Sequence, residues 1–162
     1  MTGSEPSQGA GAGLLGWREW VSLNQLGLTA IKAKVDTGAR TSALHAFEVD
    51  TFSRDGALWV RFRVRPDQFD RSRVVSCEAP VIDQRVVADS GGHREKRYVI
   101  ETPVTLAGES WPIEITLTDR DTMRFRMLLG RTALKGRFLV DAGKSFLLGG
   151  STAAPPRHQE NT

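Results

Sequence analysis

Apolar residues recur at every second position along most of this chain. Ile31, Ala33 and Val35 share one face of a segment whose other face carries Lys32 and Lys34. Leu58, Val60, Phe62 and Val64 alternate with Trp59, Arg61, Arg63 and Arg65, and Ile113, Ile115 and Leu117 alternate with Glu114, Thr116 and Thr118. A period of two is that of a strand with one buried face, whereas a helix repeats its apolar face every three to four residues. Further strands are expected at 17–23, 43–50, 73–77, 84–88, 96–106, 124–129, 137–141 and 145–148. The turn signals "RDG", "RPD", "SGGH", "AGE" and "DAG" separate them. Only "RTALKG", 131–136, reads as helical, with Gly136 as its stop. The pattern predicts an all-β fold, a closed barrel or a sandwich, with one short C-terminal helix.

The chain's 162 residues suit one domain. Residues 1–13 are rich in Gly, Ala, Ser and Pro, and 151–162 read "STAAPPRHQENT". Neither end has enough apolar surface to offset the entropy of ordering, so both are expected to be disordered tails around a folded unit at 14–150. No apolar run approaches the ~20 residues that span a bilayer, and no basic n-region precedes a long apolar stretch. Cys77 has no second cysteine to pair with, so nothing marks an oxidising compartment. A cytoplasmic protein is expected. The net charge of +3 is scattered over strands rather than gathered into an arm. This argues against a nucleic-acid partner, and the short apolar runs argue against a membrane. An acidic substrate is compatible with the balance.

One strand ends unusually. "IKAKVDTGARTSALHA" stops its alternation on Asp36 and turns at once through Thr37, Gly38 and Ala39. An acid at a strand end, in a tight turn of small residues, is a carboxylate that can be held for acid–base work. The same letters also make an ordinary turn, since Asp caps turns and Gly takes positive φ. A second element comes late in the chain: "MLLGRTAL", 127–134, two leucines followed by Gly130 and Arg131.

The ordered pair, strand–Asp–Thr–Gly–Ala and then Leu–Leu–Gly–Arg–x–x–Leu, resembles the retropepsin-like aspartic proteases. "KVDTGARTSALHA", "RYVIETPVTL", "WPIEITLTDRDTMRFRMLLGRTAL" and "FLVD" are similar to a bacterial RimB-type family. That family carries the older name of an ATP-dependent zinc protease and is associated with the ligase that adds glutamates to ribosomal protein S6. The resemblance covers nearly all of 16–149 and implies a retropepsin-like closed barrel. It implies Asp36, Thr37 and Gly38 as the catalytic loop. Leu128, Leu129, Gly130 and Arg131 would then be the segment that passes beside the loop and supports it. Arg131 matches an arginine that commonly ties retropepsin dimers together.

The resemblance also implies a β-hairpin flap, for which "VVADSGGHREKRYVI" is the candidate, with Ser90, Gly91 and Gly92 at its tip. With Ala39 and Arg40 these would meet a peptide or protein substrate. Arg94, Lys96 and Arg97 lie near the proposed flap and suit an acidic one. Aspartic protease chemistry needs two carboxylates sharing one proton. Asp50, Asp55 and Asp83 lack the Thr/Ser-Gly context, and "VDAG" at 140–143 has Ala142 in its place. A homodimer pairing two copies of Asp36 would supply the dyad. No metal and no cofactor are expected. His45, His93 and His158 form no His-Glu-x-x-His, there is no phosphate-binding loop ending in Lys-Ser/Thr, and the acids of "TDRDTM" read as a solvated turn. The expected function is an aspartic peptidase acting on glutamate-rich or glutamylated peptides. The alternative is a catalytically silent peptide-binding module or scaffold for a glutamate ligase.

Overall fold

The computed structural model describes residues 13–88, 91–120 and 124–148. Residues 1–12 and 151–162 of the expected tails, Ser90 and part of the 118–123 turn lie outside these residues, whereas Gly13, expected in the first tail, begins a strand. The described chain is built almost wholly of strands: β1 (Gly13–Leu15), β2 (Arg18–Leu23), β3 (Leu28–Asp36), β4 (Ser42–His45), β5 (Phe47–Arg54), β6 (Ala57–Val64), β7 (Val75–Ala88), β8 (Arg94–Leu106), β9 (Glu109–Thr118), β10 (Met127–Gly130) and β11 (Phe138–Val140). One helical turn, α1 (Arg131–Leu134), follows β10, where the helical reading placed it.

Nine strands form one sheet in the order β2-β3-β10-β4-β9-β8-β7-β6-β5. The first six of these return on themselves, because β2 also meets β8. That seam is the single residue pair Ser22↔Thr105, so the barrel is joined at one point rather than along a full ladder. The two remaining strands form a small parallel pair, β1 with β11. The core takes in the alternating apolar residues named from the sequence except Leu58, which is 42% exposed. Ile31, Phe62, Val64, Ile115, Met127 and Leu129 are buried, with Leu44 and Ile100 between them.

The differences from the expected strands have physical causes. Segments 73–77 and 84–88 belong to one strand, β7, which includes Pro80. Its first half pairs with β6 up to Pro80, and its second half pairs with β8 from Val81 onward. Pro80 therefore sits where the strand changes neighbours and needs no ladder N–H on both sides. The expected strand 43–50 divides at Ala46 into β4 and β5, with Glu48 at φ 52 beside the break. Residues 145–148 form no strand. The buried carboxylate of Glu19 takes their N–H groups instead: Leu147 donates to it at 2.9 Å and Leu148 at 3.3 Å, while Gly16 donates at 2.7 Å. Lys32, expected on a solvent face, is only 4% exposed. Its ammonium lies 5.6 Å from the ring of Trp20, 5.2 Å from Phe69 and 5.9 Å from Phe146.

Candidate active site

β3 runs parallel to β10, and the register sets Asp36 opposite Gly130 and Lys34 opposite Leu128. Asp36 is half-buried at the strand end. Its Oδ1 accepts the N–H of Gly38 at 3.0 Å, and its carbonyl accepts the N–H of Ala39 at 3.1 Å. One carboxylate oxygen is thus fixed by its own turn. Thr37, Gly38 and Arg40 are exposed around it.

The late segment holds this loop in place. The N–H of Arg131 donates to Ala39 O at 2.8 Å, and that of Thr132 to Arg40 O at 3.1 Å. The Thr132 hydroxyl donates to the same Arg40 carbonyl at 2.8 Å, and Arg131 Nη1 donates to Gly38 O at 3.3 Å. Gly130 N donates to the buried Ser42 Oγ at 3.0 Å. A Cβ built on Gly130 would stand 2.6 Å from the backbone carbon of Thr41, so the close approach requires glycine. Leu129 is buried in the core, whereas Leu128 is half-exposed and faces outward beside Lys34. Ser42 and Thr132 add supports that sequence reading missed. A small hydroxyl beside a glycine carries no distinctive signal.

The proposed flap is a hairpin. β7 and β8 pair out to Ala88↔Arg94, and beyond that pair Gly91 and Gly92 are exposed, with Gly92 at φ +87. The basic residues behind it differ from the expected substrate lining. Arg97 turns back onto the sheet, donating from Nε to Glu95 at 2.8 Å and from Nη1 to Thr116 at 3.4 Å. Burial pushes the Glu95 carboxyl upward, but the hydrogen bonds from Arg97 and Thr118 outweigh it and hold it below the usual carboxylate range. Arg94 and Lys96 are exposed. Arg40 lines a groove of about 270 Å³ shared with Glu101 and Glu114, an acidic neighbourhood for a residue expected to meet acidic ligand.

A concavity larger than that groove adjoins β3. A pocket of about 490 Å³ opens over the outer face of β2, β3 and β10, lined by Lys34, Arg18 and Arg124 with Trp17, Phe69 and Phe125. Arg18, Lys34 and Leu128 lie in register across the three strands. Lys34 is two residues before Asp36 on the same strand face, roughly 7 Å along the strand. Trp17 is a wall of this pocket and packs edge to face on Phe125. The two-residue period could have placed Lys34 beside Asp36, but Phe69 comes from a loop that no pattern connected to the site.

His45 is fully buried, with Nε2 3.8 Å from a carboxylate oxygen of Asp119. Among the described residues no three of His, Cys, Asp and Glu converge on a position where a metal ion could be held.

Residues 14–149 match the family model described as "RimB-like: Retropepsin-like aspartic endopeptidase RimB". The chain belongs to the RimB-like family. Its relatives include two proteins named "Probable alpha-L-glutamate ligase". The one from Parasynechococcus marenigrum is 55% identical over 136 residues, covering 84% of this chain and 29% of its own. The one from Desulfotalea psychrophila is 48% identical over 143 residues, covering 88% and 31%. The RimB-like chain therefore spans about a third of the length of these curated relatives. A crystal structure of a protein of unknown function from Legionella pneumophila superposes with a TM-score of 0.71 at 26% identity, covering 84% of this chain and 98% of that one. Among the described residues no helix is long and apolar enough to cross a membrane.

Proposed function

We propose that this RimB-like chain is an aspartic peptidase that works as a homodimer on glutamate-rich or glutamylated peptides. The observation that carries the proposal is the seating of Asp36. Its carboxylate is held at an open rim by Gly38, within a loop that β10 and α1 tie down through Arg131, Thr132 and Gly130. A preorganised carboxylate is what proton transfer to and from water requires. In such chemistry one acid stays ionised and takes a proton from the attacking water. The other stays protonated and donates to the scissile carbonyl oxygen.

Two copies of Asp36 would provide the two acids. Within one chain the nearest imitation is Asp141-Ala142-Gly143, where Asp141 Oδ1 also accepts a glycine N–H two residues on, at 3.0 Å. Asp141 is bonded through its own N–H to Leu15, in the β1–β11 region, and lacks the threonine. That region also offers a surface for a second copy. Leu14 and Leu139 lie opposite each other and are 47% and 67% exposed. The basic pocket beside Asp36 supports an acidic substrate, because carboxylates meet Lys34, Arg18 and Arg124 there.

A second reading rests on the relatives: proteins named for glutamate ligation contain a region like this chain as under a third of their length. On that reading the groove binds acidic peptide for a ligase and cleaves nothing. The deciding experiment incubates wild type and Asp36→Asn with a glutamate-rich peptide and follows new amino termini. The peptidase reading expects products from wild type alone. Binding without products from either protein favours the ligase-associated module.

A further inference from the structure

The pocket above β2, β3 and β10 is larger and more aromatic than an acidic side chain alone requires. Lys34 and Arg124 are exposed and have no carboxylate partner among the described residues. Arg18 is fixed beside them, its guanidinium 4.7 Å from the ring of Trp17 and 4.9 Å from Phe146, with Nε donating to Ser145 at 3.2 Å. The remaining walls are Trp17, Phe69, Phe125 and Leu128, with one uncharged polar residue, Gln68. Trp17 and Phe125 meet edge to face at 5.7 Å and give the pocket a packed floor.

Phe69 is the unusual wall. It is 52% exposed, yet its loop is stapled: Arg73 donates to Asp67 at 3.0 and 3.1 Å, Ser72 donates to Asp70 through both N–H and hydroxyl, and Arg65 donates to Arg71 O. The Lys32 ammonium lies 5.2 Å from the Phe69 ring. A phenyl ring fixed in position with half its surface in water gains free energy when an apolar group covers it. An all-glutamate ligand brings carboxylates to the three cations and nothing to that ring.

We infer that this pocket is a composite subsite for a peptide in which an acidic residue adjoins an aromatic or large aliphatic one. Lys34, Arg18 and Arg124 take the carboxylate, and Phe69 packs on the apolar side chain. This deepens the reading of Asp36 as the peptidase centre, since the site lies on the same strand face as that acid. It shifts the preferred substrate from a uniform glutamate tail to a place where such a tail meets an apolar residue.

The test is equilibrium binding to full-length Asp36→Asn, which measures recognition without turnover. Three peptides of equal length are compared: glutamate only, glutamate with one central Phe, and glutamine with one central Phe. The mixed peptide should bind about tenfold or more tighter than either other. Phe69→Ala should remove the advantage of Phe and leave that of glutamate, and Phe69→Leu should restore most of it. Lys34→Met should do the converse, lowering the glutamate advantage and sparing that of Phe. Equal affinities for the mixed and all-glutamate peptides overturn the inference. So does a Phe69→Ala that weakens all three equally. Wild-type cleavage is scored separately. Absence of cleavage with the binding pattern intact supports the subsite and defeats the peptidase reading instead.

Discussion

Asp36 and Gly130 face each other across two parallel strands, and each has a different kind of dependence on its neighbour. Asp36 is held by one turn hydrogen bond and otherwise opens to the rim, so its replacement by Asn keeps the shape and removes the acid. Peptidase activity of Asp36→Asn should fall by roughly 10²–10⁴-fold with an unchanged melting profile, measured by initial rates and thermal denaturation. Gly130 is the reverse case. A methyl group there meets the Thr41 backbone at 2.6 Å, so Gly130→Ala should cost about 1–3 kcal/mol in denaturant unfolding and loosen the acid loop. The packing of the Asp36 loop against Gly130 and Arg131 was legible through the ordered pair's resemblance to retropepsin-like proteases, since Asp-Thr-Gly alone also reads as an ordinary turn. Lys34 was not, since an alternating lysine reads as solvent-facing until the register shows Leu128 and Arg18 beside it. Arg97 was misleading for the same reason: charge was visible, but its turn toward Glu95 and Thr116 depended on pairing between distant strands.

The β7–β8 hairpin was recognised from its glycine tip, yet its length was not, because a proline inside an alternating run reads as a break. Pro80 is tolerated only because β7 passes there from β6 to β8, a fact of tertiary arrangement. Glu95, paired with Val87 next to the hairpin's tip, ties that end of the hairpin to β9 through Thr118, which donates to the carboxylate at 2.9 Å. Its carboxyl lies below the ordinary value of 4.5, so its contribution is present above that value and is lost as pH falls through the lowered one. Amide exchange across β8 near Glu95 should therefore quicken as pH drops below about 4.5, once corrected for intrinsic rates, and Glu95→Gln should remove the excess acid sensitivity. Cys77 on β7 shows the opposite shift. Burial pushes its thiol up to about 12 from an ordinary 9.0. Up to about pH 9 both folded and unfolded chains keep the proton; as pH climbs toward 12 only the unfolded chain releases it, and stability falls. A thiol reagent at pH 8 should accordingly leave native Cys77 unlabelled and react promptly after denaturation.

At the scale of the molecule, the two ends of the described chain are joined by Glu19 and by the β1–β11 pair, which together set an apolar patch at Leu14 and Leu139. The all-β class followed from alternation alone, but the one-pair seam at Ser22↔Thr105 did not, since barrel closure depends on strand tilt and stagger rather than on any local pattern. The proposed catalytic dyad requires two copies of Asp36 to act together. Mixing wild type with Asp36→Asn at fixed total concentration, with time for subunits to exchange, tests it directly through the rate of cleavage of a glutamate-rich peptide. If both acids are needed, activity follows the square of the wild-type fraction, so an equal mixture retains about one quarter of full activity. A linear fall to about one half, or a rate that Asp36→Asn leaves untouched, contradicts the claim.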